Sequence, residues 1–194
     1  MPLHLVAING HDQCVDILLK RGAHLHKEGK QEYDPLHLAV INGYGQCVDV
    51  FLKHESDLYK EDEQGRTPLH LAAIHGHSQC IDILLKHRVN LNEEDGKGYT
   101  PLHWAVSLGR SSNLNILHEF GANLDIKDYE GRTPAHLAAR QGHVNSIIVL
   151  HDLKAKLNGV ACDSSTPLHV AVISKKLDCI IALLNRGASL DAQD

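Results

Sequence analysis

Apolar and polar residues alternate along this chain in short blocks that have helical spacing. In residues 79–86 the apolar side chains recur at the intervals of one helix face, which predicts an amphipathic helix. A shorter helix is predicted to begin at Pro68, and Gly76 fits the left-handed residue that ends it. Residues 91–100 are polar and contain glycine, so they are predicted to form a loop. This part of the chain therefore predicts two short antiparallel helices followed by a loop.

The same block recurs with a period of 33 residues. All six prolines share one phase of this period, and a histidine follows each proline two positions later. The prolines are Pro2, Pro35, Pro68, Pro101, Pro134 and Pro167, the histidines are His4, His37, His70, His103, His136 and His169, and the glycines of a third phase are Gly10, Gly43, Gly76, Gly109 and Gly142. One helical pair cannot bury its apolar sides alone, so this period predicts a stack of similar units.

The strings that carry the repeat point to one family. Residues 67–73 read TPLHLAA, and the segments that begin at Thr100, Thr133 and Thr166 read TPLHWAV, TPAHLAA and TPLHVAV. These strings, at this period, resemble the ankyrin repeat, and the resemblance covers essentially the whole chain. It implies an all-α solenoid of stacked helix-turn-helix units joined by β-hairpin-like loops.

The phase of the repeat also predicts the domain organisation. We expect a single ankyrin-repeat domain over residues 1–194, with repeats at about 1–31, 32–64, 65–97, 98–130, 131–163 and 164–194. The first unit begins without its cap residue, and the last unit stops where another hairpin would begin. We therefore expect the chain to be a fragment of a longer protein.

The start of each first helix carries the residues of an N-cap. The Thr67 hydroxyl is suited to accept a hydrogen bond from a free backbone N–H, and Pro68 wastes no donor at the first helical position. His70 lies three residues after Thr67, where its imidazole is able to reach back to the cap. Asp34 replaces threonine in the second repeat and is also a strong cap, so this helix start is expected to survive.

Some residues depart from what the resemblance implies. The family usually closes the second helix with glycine, as it does here at Gly22, Gly121 and Gly187, but three repeats carry Glu55, Arg88 and Lys154 at that position. A residue other than glycine in a left-handed conformation costs roughly 1 kcal/mol, so these turns are expected to be less stable. Lys175 replaces the interhelix glycine of the sixth repeat. We expect the last two repeats to be shifted or looser.

Few residues remain for catalysis or metal binding once the repeat is accounted for. His75 and His77 are close enough in sequence to share a surface ion, but no further ligand completes a site, so no metal is expected. No nucleophile with a matching base and no carboxylate pair stands outside the repeat pattern, so we expect neither catalytic residues nor cofactors. Four cysteines share one phase of the second helices and are predicted to be inert core thiols: Cys14, Cys47, Cys80 and Cys179. Cys162 lies outside this phase, in a loop, and is predicted to be the more reactive thiol.

Charge and hydrophobicity narrow the class of partner. The chain has 19 basic and 24 acidic residues, a net charge of -5, and no basic cluster that could follow a phosphate backbone, so a nucleic-acid partner is not expected. No apolar run approaches the roughly 18 to 20 residues that span a bilayer, so direct membrane insertion is not expected either. The odd number of cysteines favours a reducing compartment, and we expect the protein in the cytoplasm or the nucleus.

The resemblance implies a concave binding groove made by the hairpin loops and the exposed side of the first helices. Residues that vary between repeats are the candidates, because tyrosine, tryptophan and arginine are the usual interface anchors. The candidates in the loops are Tyr33, Arg66, Tyr99, Tyr129 and Arg132, and those on the first helices are Ile41, Ile74, His75, Trp104, Leu108, Arg140 and Gln141. Trp104 has a second interpretation, in which it replaces a leucine and only packs.

The predicted function is a monomeric scaffold or adaptor that binds another protein. Acidic tips at residues 61–63 and 93–95, and basic side chains at Lys127, Arg132 and Arg140, predict that a partner presents basic groups to the middle repeats and acidic groups to the later ones. Two alternatives stay open: a cytosolic ankyrin segment that positions another domain of a larger channel, enzyme or host-directed effector, and a module of structural self-association. The resemblance also implies possible hydroxylation of Asn92 and Asn158, which occupy the hairpin position that asparaginyl hydroxylases modify in this family.

Overall fold

The computed structural model describes residues 2–24 and 33–190. Within these ranges the chain forms twelve helices, alternately a first and a second helix of each pair, and no strand. The first helices are α1 (Pro2–Ile8), α3 (Pro35–Ile41), α5 (Pro68–His75), α7 (Pro101–Ser107), α9 (Pro134–Gln141) and α11 (Pro167–Ile173). The second helices are α2 (Asp12–Lys20), α4 (Gly45–Lys53), α6 (Ser78–Lys86), α8 (Ser111–Glu119), α10 (Val144–Asp152) and α12 (Leu177–Leu184). The predicted all-helical class is confirmed.

The helices belong to two compact units, Met1–Asn90 and Leu91–Asp194. In the first unit α1, α3 and α5 pack side by side, and α2, α4 and α6 form a second layer against them. In the second unit α7, α9 and α11 form one layer and α8, α10 and α12 the other. Each unit is therefore a stack of helical hairpins. The repeat boundaries and the single domain over 1–194 stay predictions.

Aliphatic side chains fill the space between the two layers of each unit. In the first unit Val48, Phe51, Ile81 and Leu84 are fully buried. The second unit buries the residues in the same phases, Leu114, Leu117, Ile147 and Leu150, and it also buries Leu102 and Leu137. Burial of one such side chain contributes roughly 1.5–3 kcal/mol, so the helix pairs are held mainly by these contacts.

The predicted threonine caps are present. The Thr100 hydroxyl accepts a hydrogen bond from the backbone N–H of His103, and the backbone N–H of Thr100 donates to Nδ1 of the same histidine at 3.1 Å. The same reciprocal arrangement is found at the starts of α5, α9 and α11. Each cap therefore orients an imidazole as well as starting a helix. The imidazoles of His70, His103 and His136 are buried, whereas that of His169 is exposed.

Within residues 2–24 and 33–190, five residues other than glycine adopt the left-handed conformation. Glu55, Arg88 and Lys154 do so after the second helix, with φ of 62°, 60° and 72°, as the repeat pattern predicts. Lys175 does so between α11 and α12, with φ of 55°. Ser164, with φ of 63°, stands in the phase of Gly65, Gly98 and Gly131 and was not predicted. These substitutions keep the turn geometry of the glycines, at a cost in backbone energy.

The last two repeats keep the register of the others. Helices α10 and α12 begin at Val144 and Leu177, in phase with Ser111 of α8, and α12 is one residue shorter than the nine residues of α10. The expected shift is therefore wrong, because Lys175 is able to take the left-handed conformation of the missing glycine. Whether these repeats are looser stays a prediction.

Three of the four in-phase cysteines lie in the core. Cys47, Cys80 and Cys179 are buried, and burial raises the pKa of the Cys47 and Cys80 thiols to about 11, which makes them poor nucleophiles. Cys14 is exposed, so the prediction that all four are core thiols is wrong for it. The helices that pack against α2 are α1 and α4, within the part of the chain that the structure describes. Cys162 is exposed, as its loop position predicts.

Candidate functional site

An aspartate forms the centre of each of three loops. Asp62 Oδ1 accepts hydrogen bonds from the backbone N–H groups of Gln64 and Arg66, each at 2.9 Å, while the Asp62 backbone N–H donates to the Arg66 carbonyl. Asp95 and Asp128 make the same bonds in their own loops. Each carboxylate therefore fixes the backbone of the loop whose side chains project from the helices.

In two of these loops an arginine joins the aspartate to a tyrosine of the preceding repeat. The Arg132 guanidinium donates to Asp128 Oδ2 from Nε at 2.8 Å and to the Tyr99 hydroxyl from Nη2 at 3.0 Å. Arg66 makes the same bonds to Asp62 and Tyr33, at 2.7 Å and 3.0 Å. These four predicted binding residues are thus brought together in pairs, and both arginines also hold adjacent loops in register.

The Arg66 side chain and the loop backbone also set the ionisation of Asp62. Burial raises the pKa of the Asp62 carboxyl, but the hydrogen bonds from the Arg66 side chain and from the backbone N–H groups outweigh burial and hold the pKa below its usual value. The pKa of Arg132 is raised, because the hydrogen bond and the charge of Asp128 outweigh the effect of burial. A partner that approaches this surface therefore meets aspartates whose charge is already neutralised by arginine.

In the loop of Asp95, the aspartate is bound by Trp104 of α7 instead of by an arginine. Its indole Nε1–H donates to Asp95 Oδ2 at 2.7 Å, and its ring meets Tyr99 edge-on at 5.3 Å between centroids. The Lys97 ammonium lies 5.9 Å from the centre of the indole. Trp104 therefore does more than replace a leucine, since it satisfies a buried carboxylate and leaves part of its ring exposed.

The remaining candidates differ in exposure. Tyr129 is 68% exposed, and its ring lies against Gly98, where a Cβ atom would come within 2.4 Å of the ring. Leu108, His75, Arg140 and Gln141 are exposed, whereas Ile41 and Ile74 are half-buried. In the first unit His75 and His77 stack with ring centroids 6.0 Å apart. In the second unit, the predicted binding surface is thus accessible at its exposed aromatic and cationic side chains.

His77 and His143 are structural residues and were not among the predicted binding positions. His77 Nε2 donates to the Ile41 carbonyl at 2.9 Å, and His143 Nε2 donates to the Ser107 carbonyl at 3.0 Å. Each imidazole therefore satisfies the C-terminal end of the preceding first helix. The signal in the sequence was their shared phase after the interhelix glycine.

Comparison with known proteins decides the family. The family model described as ankyrin repeats (3 copies) matches residues 1–62, 45–128 and 112–194, which together span the whole chain. This chain belongs to the ankyrin-repeat family. Ankyrin repeats are protein-interaction modules, and the loops and first helices described above are the parts of the ankyrin unit that the sequence predicted to bind.

A solved ankyrin structure shares the fold of this chain. The crystal structure of the ankyrin repeat domain of Bcl-3, described as a unique member of the IkappaB protein family, superposes with a TM-score of 0.86 at 27% sequence identity. The match covers 97% of this chain and 87% of the Bcl-3 chain. Among curated proteins no sequence matches this one. Because ankyrin folds serve many unrelated partners, this likeness does not identify the partner of this chain.

Asn92 and Asn158 occupy exposed positions in the ankyrin loops and bind the next loop. Asn158 Oδ1 accepts from the Ser189 backbone N–H at 3.0 Å, and Asp125, in the same phase, accepts from the Lys156 backbone N–H at 2.7 Å. Asn92 Oδ1 is 3.5 Å from the Asn123 backbone nitrogen. These contacts give both asparagines a structural role. Their hydroxylation stays a prediction.

The described part of the ankyrin chain offers little for other chemistry. Residues 2–24 and 33–190 contain no group of three His, Cys, Asp or Glu side chains placed to hold a metal ion. Within the same ranges no helix is long and apolar enough to cross a membrane. Burial lowers the pKa of the capping His103 to about 4, so this imidazole is neutral near pH 7 and serves the fold.

Proposed function

We propose that this chain is a scaffold or adaptor that binds another protein through its ankyrin loops and first helices, and that it has no catalytic role of its own. The observation that supports this proposal best is the group formed by Tyr99, Trp104, Tyr129 and Arg140, which offers partly exposed aromatic rings and a cation on a rigid support. Rigid aromatic and arginine anchors are the residues that contribute most to protein interfaces. We propose a monomer that acts in the cytoplasm or the nucleus.

The charges available to a partner differ between the two units. In the first unit Glu61 and Glu63 are exposed beside a buried Asp62 that Arg66 neutralises. In the second unit Lys97 and Arg140 are exposed, while Arg132 is engaged by Asp128 and Glu130. We propose that a partner presents basic groups to the first loop and an acidic group beside Arg140. The side chains that carry this charge preference are therefore Glu61, Glu63, Lys97 and Arg140.

The test compares a surface variant with a matched control on the second helices. Trp104→Leu introduces the leucine that the neighbouring repeats have at Leu71 and Leu137, and it is combined with Tyr129→Ser and Arg140→Ala. The control is Lys86→Ala, because Lys86 is exposed on α6 and its ammonium pairs with Asp82 of the same helix. A partner is captured with the unaltered chain, and the affinity of the purified partner is then measured for each variant.

We expect the surface variant to bind the partner at least tenfold more weakly, since two aromatic anchors and one cation are lost. Lys86→Ala is expected to bind like the unaltered chain. Equal affinity of the surface variant, together with weaker binding by the Lys86 variant, would place the interface on the second helices of the first unit. Circular dichroism of both variants checks that the fold is retained.

A further inference from the structure

The capping histidine of the fifth repeat is a neutral imidazole. The backbone N–H of Thr133 donates to His136 Nδ1 at 3.1 Å, so Nδ1 acts as an acceptor and carries no proton. The other ring nitrogen, Nε2, donates to the Ser165 carbonyl at 2.9 Å. One proton, on Nε2, satisfies both bonds. Burial lowers the pKa of His136, which agrees with the neutral form.

The capping histidine of the second repeat has a different environment. His37 Nδ1 lies 2.9 Å from Asp34 Oδ1, and Nε2 lies 2.9 Å from the Lys60 carbonyl oxygen. A carboxylate and a carbonyl only accept hydrogen bonds, so each ring nitrogen must carry a proton. The Lys60 ammonium, 3.6 Å from Asp34 Oδ2, favours the ionised form of Asp34. An imidazole with two N–H groups is a cation.

We propose that His37 is a buried imidazolium paired with the Asp34 carboxylate, and that this pair makes the fold of the first unit sensitive to pH. The His37 side chain is fully buried and that of Asp34 is 7% exposed, so the pair is shielded from water. Loss of the second proton removes one of the two donors. Either Asp34 or the Lys60 carbonyl then loses its hydrogen bond from His37, and the charge that remains on Asp34 loses its buried partner.

The position of Lys60 gives the protonation state a consequence outside the core. Lys60 lies in the loop between α4 and α5, directly before Glu61, and its carbonyl is the point at which His37 holds that loop. The Tyr33 ring is 6.0 Å from the His37 ring and its hydroxyl accepts from Arg66. A change at His37 therefore reaches the loop that carries the acidic side chains of the first unit. The proposal about His37 does not depend on the proposed partner binding.

Other charged or titratable groups on the elements around α3 also influence how the stability of the first unit depends on pH. They are His4 on α1, Cys47, Asp49 and Lys53 on α4, His70 and His75 on α5, and Lys60, Asp62 and Arg66 in the loop between α4 and α5. Burial lowers the pKa of His4, and the charge of Asp34 opposes that shift. A measurement of overall stability therefore contains the titration of His4, and only a signal from His37 itself isolates the proposed group.

The sign of the pH dependence follows from the protons that each state binds. The hydrogen bonds of His37 to Asp34 and to the Lys60 carbonyl need a proton on each ring nitrogen, so the stabilisation that the proposed pair gives is present while the imidazole is protonated and is lost as pH rises. Burial raises the pKa of Asp34, but its hydrogen bonds and the charges of His37 and Lys60 hold it below its usual value. The contribution of Asp34 is therefore present above its unfolded pKa and is lost only in stronger acid.

The direct test is nitrogen NMR of the whole chain labelled with ¹⁵N in the histidine rings. The signals of His37 are assigned by their absence in His37→Gln, or by through-space contacts to the Asp34 backbone if that variant does not fold. At pH 6.5 we expect nearly equal shifts for the two ring nitrogens of His37, which is the signature of an imidazolium. His136 is expected to give two widely separated shifts. Separated shifts for His37 at this pH would overturn the proposal.

Two exchanged caps test the consequence for stability. Asp34→Thr gives the second repeat the cap of the fifth, and Thr133→Asp gives the fifth repeat the cap of the second. Urea unfolding is followed at pH 6.5 and pH 8.5. Between these two pH values, the folding equilibrium constant of the unaltered chain is expected to fall by a factor at least ten times larger than that of Asp34→Thr. The constant of Thr133→Asp is expected to fall by a larger factor than that of the unaltered chain. Identical pH profiles for the unaltered chain and Asp34→Thr would contradict the proposed switch.

Discussion

At the scale of single residues, the phase of the buried cysteines includes a buried serine on α10. Ser146 of α10 occupies the phase of Cys47, Cys80 and Cys179, and it is fully buried. Its hydroxyl has no hydrogen-bond partner in the described residues. A buried hydroxyl without a partner costs roughly 1–3 kcal/mol, so Ser146 is a position at which the sequence is not optimal for stability.

We predict that Ser146→Ala increases the free energy of unfolding by about 1 kcal/mol, because it removes this polar group and leaves only a small cavity. The reverse exchange, Cys80→Ser, is expected to lower the free energy of unfolding by about 1–3 kcal/mol, since it buries a new hydroxyl. Urea unfolding monitored by circular dichroism measures both. A loss of stability in Ser146→Ala would mean that the hydroxyl binds an internal water.

At the scale of helices and turns, the cap motif could be predicted almost completely from the sequence. Thr100, Pro101 and His103 have fixed separations, and their hydrogen bonds are local, so residue type and spacing were sufficient. The bond from Arg132 to Tyr99 could not be predicted, because it joins residues of different repeats and depends on how closely two loops approach. For the same reason the acceptor of the Trp104 indole was found only in the structure.

The left-handed turns give a prediction about backbone energy. Lys154→Gly is expected to raise the free energy of unfolding by about 0.5–1 kcal/mol, because glycine takes positive φ without the clash of a Cβ atom. Gly121→Ala at the equivalent turn is expected to lower it by about 1 kcal/mol, and no atom lies within 4 Å of the added Cβ, so the loss is due to φ alone.

Gly109→Ala serves as the steric control for these two variants. Its added Cβ would lie 2.8 Å from Nδ1 of the His143 ring, so we expect a larger loss than in Gly121→Ala. Thermal unfolding followed by calorimetry compares the three variants. A stability of Lys154→Gly below that of the unaltered chain would show that the flexibility of the unfolded chain outweighs the strain in the turn.

At the scale of the whole molecule, stability in a repeat protein is a sum over neighbouring units, so damage to one core should act locally. Phe51→Ala removes the largest fully buried side chain of the first unit and is expected to cost roughly 3–5 kcal/mol. We predict that hydrogen exchange speeds up mainly in α1 to α6. Leu150→Ala, in the core of the second unit, is expected to affect mainly α7 to α12.

The same exchange experiment distinguishes one cooperative domain from two. Equal loss of protection in both units after Phe51→Ala would support the single domain that the sequence predicted over residues 1–194. The periodic positions of proline, histidine and glycine could predict the helix pairs but not this division, because cooperativity depends on the energy of each interface between units and not on the period of the sequence.

The aspartate-centred loops affect how the charge of this surface can evolve. Gln64, Lys97 and Glu130 stand in one phase, and each donates its backbone N–H to the aspartate of its loop. A neutral, a positive and a negative side chain are therefore all compatible with one loop geometry. Mutation is free to alter the charge offered at these tips while folding stays intact, so new specificities can arise by single codon changes.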